Sequence, residues 1–260
     1  MTTRVYGPTE ALSPVLRVSG DLLFCLDLDG TLATVAERPE LASMSPELTE
    51  TVRSLAAVPA VTVAVVSGRS AADLRQRFGD KVICAGCHGL EIAGPGLEFV
   101  QEDALHLAAV VDQAAWDLEA AVLNLPGVFV ERKGLCATLR YRQAQPYLAG
   151  WLQSTVEWVL APYRGLLRIS RGRQAYEIRP CVEWNKGSAL RYLVERSHQA
   201  APFVICAGDD WSGGDLLAAG DRGMSISVVS LEPAEFAEFL LAVHLTLSRR
   251  RAAGPRSEAG

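Results

Sequence analysis

Apolar residues recur along this chain in two rhythms, and the change between them marks out its organisation. Short runs at 22–26, 61–66 and 82–85 have strand length and are apolar almost throughout, as strands covered on both faces must be. The segments between them read as helices. Ser45 followed by Pro46 predicts a helix start, serine as cap and proline in the first helical position, running to about residue 57. Ser70 predicts a second cap, for a helix opening at Ala71. Strand, helix, strand, helix, strand in this order predicts a parallel sheet with helices on its faces.

Beyond residue 96 the rhythm changes. Helical spacing over 103–123 gives way to two short alternating runs, 128–133 and 136–142. A helix over 145–160 and two more short runs, 166–170 and 175–179, follow. Helix, two strands, helix, two strands is the signature of an antiparallel sheet. The first rhythm then resumes, with a helix over 187–197, a strand over 203–207, a helix over 216–219, a strand over 224–229 and a helix over 233–247. The expectation is an α/β chain with a Rossmann-like, doubly wound parallel-sheet core, residues 1–96 with 182–248, and an inserted α+β domain with an antiparallel sheet, residues 97–181. Residues 1–20 read as a loosely ordered lead-in with one short helix, and 249–260 as a disordered tail.

Composition narrows the classes. The chain has 260 residues, 49% hydrophobic and 21% charged, with a net charge of −5. That is ordinary for a globular protein and lacks the basic stripe a nucleic-acid binder needs. No apolar run reaches the roughly 18 residues of a membrane helix, and no basic-then-apolar leader opens the chain. The expected location is the cytoplasm, with no nucleic-acid or membrane partner. The sequence fixes no oligomeric state and is compatible with a monomer. Cys84 and Cys87 have the spacing of half a zinc site or a redox pair, but no second pair accompanies them, so the expectation is reduced structural thiols.

The chemistry lies where the core strands end. Asp27 and Asp29 follow the first strand, Ser67 the second, and Asp209 and Asp210 the strand over 203–207, while Lys186 precedes a helix. Ligands of open parallel sheets sit beyond the carboxyl ends of the strands. Carboxylates suit a hard cation such as Mg²⁺, which takes one or two of them together with substrate phosphate. One aspartate can then attack phosphorus and a second can serve as acid and base, with a hydroxyl and an ammonium on the phosphoryl oxygens.

These residues carry a resemblance. Asp27-Leu28-Asp29-Gly30-Thr31, Ser67-Gly68-Arg69, Lys186 and Gly208-Asp209-Asp210 resemble the four motifs of the haloacid dehalogenase superfamily of phosphohydrolases. Gly86 to Ile92, Val130 to Lys133, Leu139 to Arg142, Glu177 to Pro180 and Trp184 to Gly187 are similar to stretches of trehalose-6-phosphate phosphatases within it. The resemblance implies Asp27 as nucleophile, Asp29 as acid/base, and Mg²⁺ held by Asp27, the Asp29 carbonyl and Asp209, with Asp210 as a further candidate. It implies phosphate contacts from Ser67, Gly68, Arg69 and Lys186, and sugar contacts from Glu131, Lys133, Glu177, Arg142 and His88. The implied substrate is a small sugar phosphate, trehalose 6-phosphate before other glycosyl or pseudo-disaccharide phosphates such as sucrose phosphate or mannosyl-glycerate phosphate. Two departures stand out: Gly213 and Gly214 replace acids usual in the last motif, and Arg140 stands where histidine is common. A non-catalytic sugar-phosphate-binding protein is the alternative those departures raise.

Overall fold

The apolar runs become strands of a single sheet in the computed structural model, which describes residues 4–6, 8–18, 20–33, 44–172, 174–196, 202–208, 223–227 and 233–252. The chain divides into two compact units, Met1–Glu98 with Trp184–Gly260, and Phe99–Glu183. The first half of the first unit contains β1 (Arg4–Tyr6), α1 (Pro8–Arg17), β2 (Leu22–Asp27), α2 (Pro46–Ala56), β3 (Val61–Val66), α3 (Ala71–Phe78), β4 (Ile83–Gly86), β5 (Glu91–Gly94) and β6 (Leu97–Val100). The second unit contributes α4 (Glu102–His106), α5 (Ala108–Val122), β7 (Phe129–Arg132), β8 (Ala137–Arg140), α6 (Leu148–Val159), β9 (Leu167–Gly172) and β10 (Ala175–Pro180). The first unit resumes with α7 (Lys186–Arg196), β11 (Phe203–Gly208), β12 (Gly223–Ser227) and α8 (Pro233–Ala252).

The first unit's sheet runs β1-β12-β11-β2-β3-β4-β5-β6. It is parallel from β1 to β4, and β5 turns back antiparallel to β4. β2 lies between β11 and β3, with Leu26 opposite Ala207 and Asp27 opposite Val66. The carboxyl ends of the three strands therefore stop at one level. Leu22, Phe24 and Leu26 belong to a buried cluster with Val63, Val65 and Ile205 and with apolar residues of α1, α2, α3 and α8. Alternation along the strand turns Leu23, Cys25 and Asp27 to the other face.

The second unit has its own core. Its sheet runs β7-β8-β10-β9, each neighbour antiparallel. Val111 and Leu118 of α5 and Leu152 and Val156 of α6 cluster with Leu139, Tyr176 and Ile178 on one face of that sheet.

Several elements differ from expectation. The lead-in contains a strand, because β1 finds a partner in β12 that three residues of sequence cannot announce. The stretch expected to be a disordered tail, 249–260, is helical as far as Ala252 in α8; the remainder, 253–260, lies outside the described residues. The expected helix over 216–219 lies outside them too. The helix expected over 103–123 breaks at Leu107, whose φ −93° and ψ 0° separate α4 from α5. β5 and β6 were not foreseen, and the first division between units falls within β6. Among the described residues no helix is long and apolar enough to cross a membrane.

Candidate active site

Asp27 is the last residue of β2, and its side chain is almost fully buried. Lys186, the first residue of α7, donates from Nζ to Asp27 Oδ1 at 2.8 Å and is equally buried. A buried carboxylate is costly unless paired, and this one is paired with a buried ammonium. After Asp27 the chain turns sharply. The Leu28 carbonyl accepts from the amides of Thr31, Leu32 and Ala33, and Gly30 takes φ 90°, which a side chain disfavours. This turn brings the Asp29 carboxyl back to the mouth of the sheet, 40% exposed.

Ser67 follows β3 and is buried. Its amide donates to the Ala85 carbonyl, its carbonyl accepts from the His88 amide, and its hydroxyl accepts from the Arg69 amide at 3.2 Å. The Arg69 carbonyl accepts from the Cys87 amide. The stretch after β4 thus clamps the Ser67–Arg69 loop from below. Gly86 is needed for that contact, since a Cβ there would stand 2.1 Å from the Ala71 backbone nitrogen. Gly89, at φ +88°, lies so close to α7 that a Cβ would meet the Ala189 Cβ at 2.3 Å. Its carbonyl accepts from Trp184 Nε1 at 2.8 Å, just before Lys186. His88, expected on the sugar, sits in this core turn with φ 59° rather than in the inserted domain.

Arg69, expected on phosphate, turns its guanidinium to two carboxylates. Nη2 donates to Asp29 Oδ1 at 2.8 Å and Nε to Asp29 Oδ2 at 3.2 Å, while Nη1 donates to Asp73 Oδ2 at 3.3 Å. Burial works against the charge, but the hydrogen bonds and charges of Asp29 and Asp73 outweigh it and hold the pKa above the usual arginine value. In the sequence Asp73 is marked only by its place four residues after Arg69, in the first turn of α3.

In the second unit, register places Glu131, Thr138, Glu177 and Ser170 in one row across the sheet, on the face away from α5 and α6. Lys133 Nζ donates to Thr138 Oγ1 at 2.8 Å and lies 3.7 Å from Glu131 Oε2. Arg140 Nε donates to the same Glu131 oxygen at 2.7 Å. The structure brings Glu131, Lys133 and Glu177 onto this face, and adds Thr138 and Arg140. Arg142 lies in the turn beyond β8, off the sheet.

Hard oxygen donors at the end of β2 are of the class divalent cations take. The bridge between Asp29 and Ala33 is made by the Gly30 and Ala33 amides on the Ala33 and Leu28 carbonyls, so it does not consume the Asp29 carbonyl. Among the described residues no three His, Cys, Asp or Glu side chains group to hold a metal. Asp209 and Asp210, like Gly213 and Gly214, lie outside the described residues. Cys84 and Cys87 do not face a common site: their thiols donate to the Val82 carbonyl and the Glu91 carboxylate, each at 3.6 Å.

The family model for trehalose-phosphatases matches residues 25–232, from β2 through the second unit and past β12. The chain belongs to the trehalose-phosphatase family. Similar proteins include the trehalose-phosphate phosphatase of Mycobacterium marinum, 35% identical over 208 residues, which are 78% of this chain and 52% of that protein. That of Mycobacterium tuberculosis strain H37Rv is 36% identical over the same share of each. The chain thus spans about half the length of the curated relatives it matches. Among solved structures, the C-terminal domain of Candida albicans trehalose-6-phosphate phosphatase is similar with a TM-score of 0.72 at 22% identity, over 93% of this chain and 98% of that one. A trehalose-6-phosphate phosphatase related protein gives 0.75 at 22% identity, over 88% and 99%. At that identity the likeness establishes the fold: a mixed, largely parallel core with a separate antiparallel sheet. The described residues bring Asp27, Ser67 and Lys186 to the same end of the core sheet.

Proposed function

We propose that this chain is a phosphatase that hydrolyses trehalose 6-phosphate to trehalose and phosphate by way of an aspartyl-phosphate. The observation that carries the reading is the buried Asp27–Lys186 pair at the end of β2, in a member of the trehalose-phosphatase family. An Asp27 oxygen attacks phosphorus, and the phosphorus–sugar oxygen bond breaks with its electron pair on the sugar oxygen. That oxygen takes the proton of Asp29 and leaves as the alcohol. A water then gives its proton to Asp29 and attacks phosphorus. The bond to Asp27 breaks, freeing phosphate and restoring the carboxylate. Lys186 and the Ser67 hydroxyl hold the phosphoryl oxygens as charge builds on them.

Mg²⁺ fits the donor class at this end of the sheet. Asp27 and the Asp29 carbonyl would hold it, together with Asp209, and when bound it supplies the positive charge that lets an anionic nucleophile approach an anionic phosphate. Glu131, Lys133 and Glu177 are proposed to grip the sugar hydroxyls, since acids and an ammonium on one sheet face offer directional partners.

The test is phosphate release from trehalose 6-phosphate beside sucrose phosphate and mannosyl-glycerate phosphate, with metal stripped by chelator and then restored as Mg²⁺. Release from trehalose 6-phosphate that stops on chelation and returns with Mg²⁺ supports the proposal. Preference for another sugar phosphate keeps the chemistry and replaces the substrate. Silence across the panel, with binding retained, leaves a sugar-phosphate-binding protein.

A further inference from the structure

The geometry points to Arg69 as the positioning residue of Asp29, fixing the plane in which that carboxyl passes its proton. The inference rests on the reading of Asp29 as acid/base. Asp29 sits on a turn beside Gly30, 40% exposed, where a carboxyl otherwise rotates freely about its side-chain bonds. Arg69 removes that freedom, because Nη2 and Nε reach different oxygens of the carboxyl, at 2.8 and 3.2 Å. A single donor would leave it free to spin, whereas two parallel donors set both its plane and its direction. Each carboxyl oxygen has two lone pairs, and the fork needs only one on each, so the fork itself does not use up the carboxyl's capacity for a proton.

The fork is itself held in place. Arg69 is 4% exposed, with its amide on Ser67 Oγ and its carbonyl on the Cys87 amide. Nη1 is braced by Asp73 at 3.3 Å, and Asp73 is braced in turn by Arg77 Nε at 3.3 Å and by its own amide on the Ser70 cap. A continuous set of contacts therefore runs from the first turns of α3 to the Asp29 carboxyl. Its charges balance, two guanidiniums against two carboxylates. A surface ion pair is worth little, but this one is anchored on its buried side and presents the other to the mouth of the sheet. That is the arrangement of a support for a reacting group.

The test compares two leaving groups in single turnover, which isolates the first chemical step. Trehalose leaves as an alkoxide unless it is protonated, whereas p-nitrophenol leaves as a stable anion from p-nitrophenyl phosphate. Arg69→Lys keeps the charge and loses the fork. It is expected to slow trehalose release by about 100-fold, the scale of a misplaced acid, while p-nitrophenol release changes by less than about 3-fold on the same reasoning. Asp73→Asn removes the brace without touching Asp29, and is expected to give a smaller loss with the same selectivity; it serves if the lysine variant does not fold. Equal losses on both leaving groups, or none on either, would overturn the positioning role. Asp29→Ala separates that failure from the failure of the underlying reading. If it leaves trehalose release unchanged, Asp29 is not the acid. If it is selective while the Arg69 and Asp73 variants are not, the acid stands and the support is elsewhere.

Discussion

A carboxylate and an ammonium 2.8 Å apart, both buried, depend on each other at Asp27 and Lys186. Removing one charge breaks a buried ion pair, at a cost of about 3–5 kcal/mol. Asp27→Asn is therefore expected to abolish turnover and also to lower stability on that scale, read as a reduced urea midpoint with unchanged m-value. An inactive variant of full stability would mean that Lys186 finds another partner. Thiol chemistry gives a second check. Cys181 is exposed, while Cys25, Cys84, Cys87, Cys136 and Cys206 are buried. Burial pushes the Cys84 thiol up to about 12, and the Cys206 thiol together with burial raises Cys25. Brief treatment of the folded protein with iodoacetamide at neutral pH should mark Cys181 alone, by mass spectrometry, with the other five reacting only after unfolding. At this scale Asp27, Ser67 and Lys186 were legible because each ends or begins a strongly patterned element. The partner of Arg69 was not, since its forty-residue separation from Asp29 is closed only by folding.

Elements succeed where a local rule decides them. Ser45 and Ser70 cap α2 and α3 as expected, each accepting from the amide three residues on. Ser70→Ala should cost about 1 kcal/mol by thermal melting, and a larger loss would locate further support in the Asp73–Arg69 contacts above it. The turn after β4 obeys no local rule; its shape comes from what it touches. With a Cβ at residue 86 standing 2.1 Å from the Ala71 nitrogen, Gly86→Ala must push β4 and α3 apart. The expected cost is about 3 kcal/mol, the upper part of the overpacking range, with activity falling as the Ser67–Arg69 loop loses its clamp. Full stability and activity would mean that the loop is held elsewhere.

At the scale of the whole chain, two cores with no shared residues predict two cooperative units. Native-state hydrogen exchange should give β2, β3 and β11 one opening free energy and β8 and β10 another. A single value for both sets would mean that the insertion and the core unfold together. The sequence by itself determined the central strands β2, β3, β4 and β11, because unbroken apolar runs can be stable only when covered on both faces. It predicts an insertion, because alternation and helical spacing replace those runs. It also points to the strand ends as the place to look for chemistry. Only the tertiary structure decided that β1 joins β12, that a glycine-bearing turn holds the Ser67 loop on one side and packs on α7 with the other, and that Arg69 grips Asp29. Those are contacts between residues far apart in the chain. Local pattern records how a residue sits relative to its neighbours in sequence, and such contacts arise only when packing brings distant segments within reach.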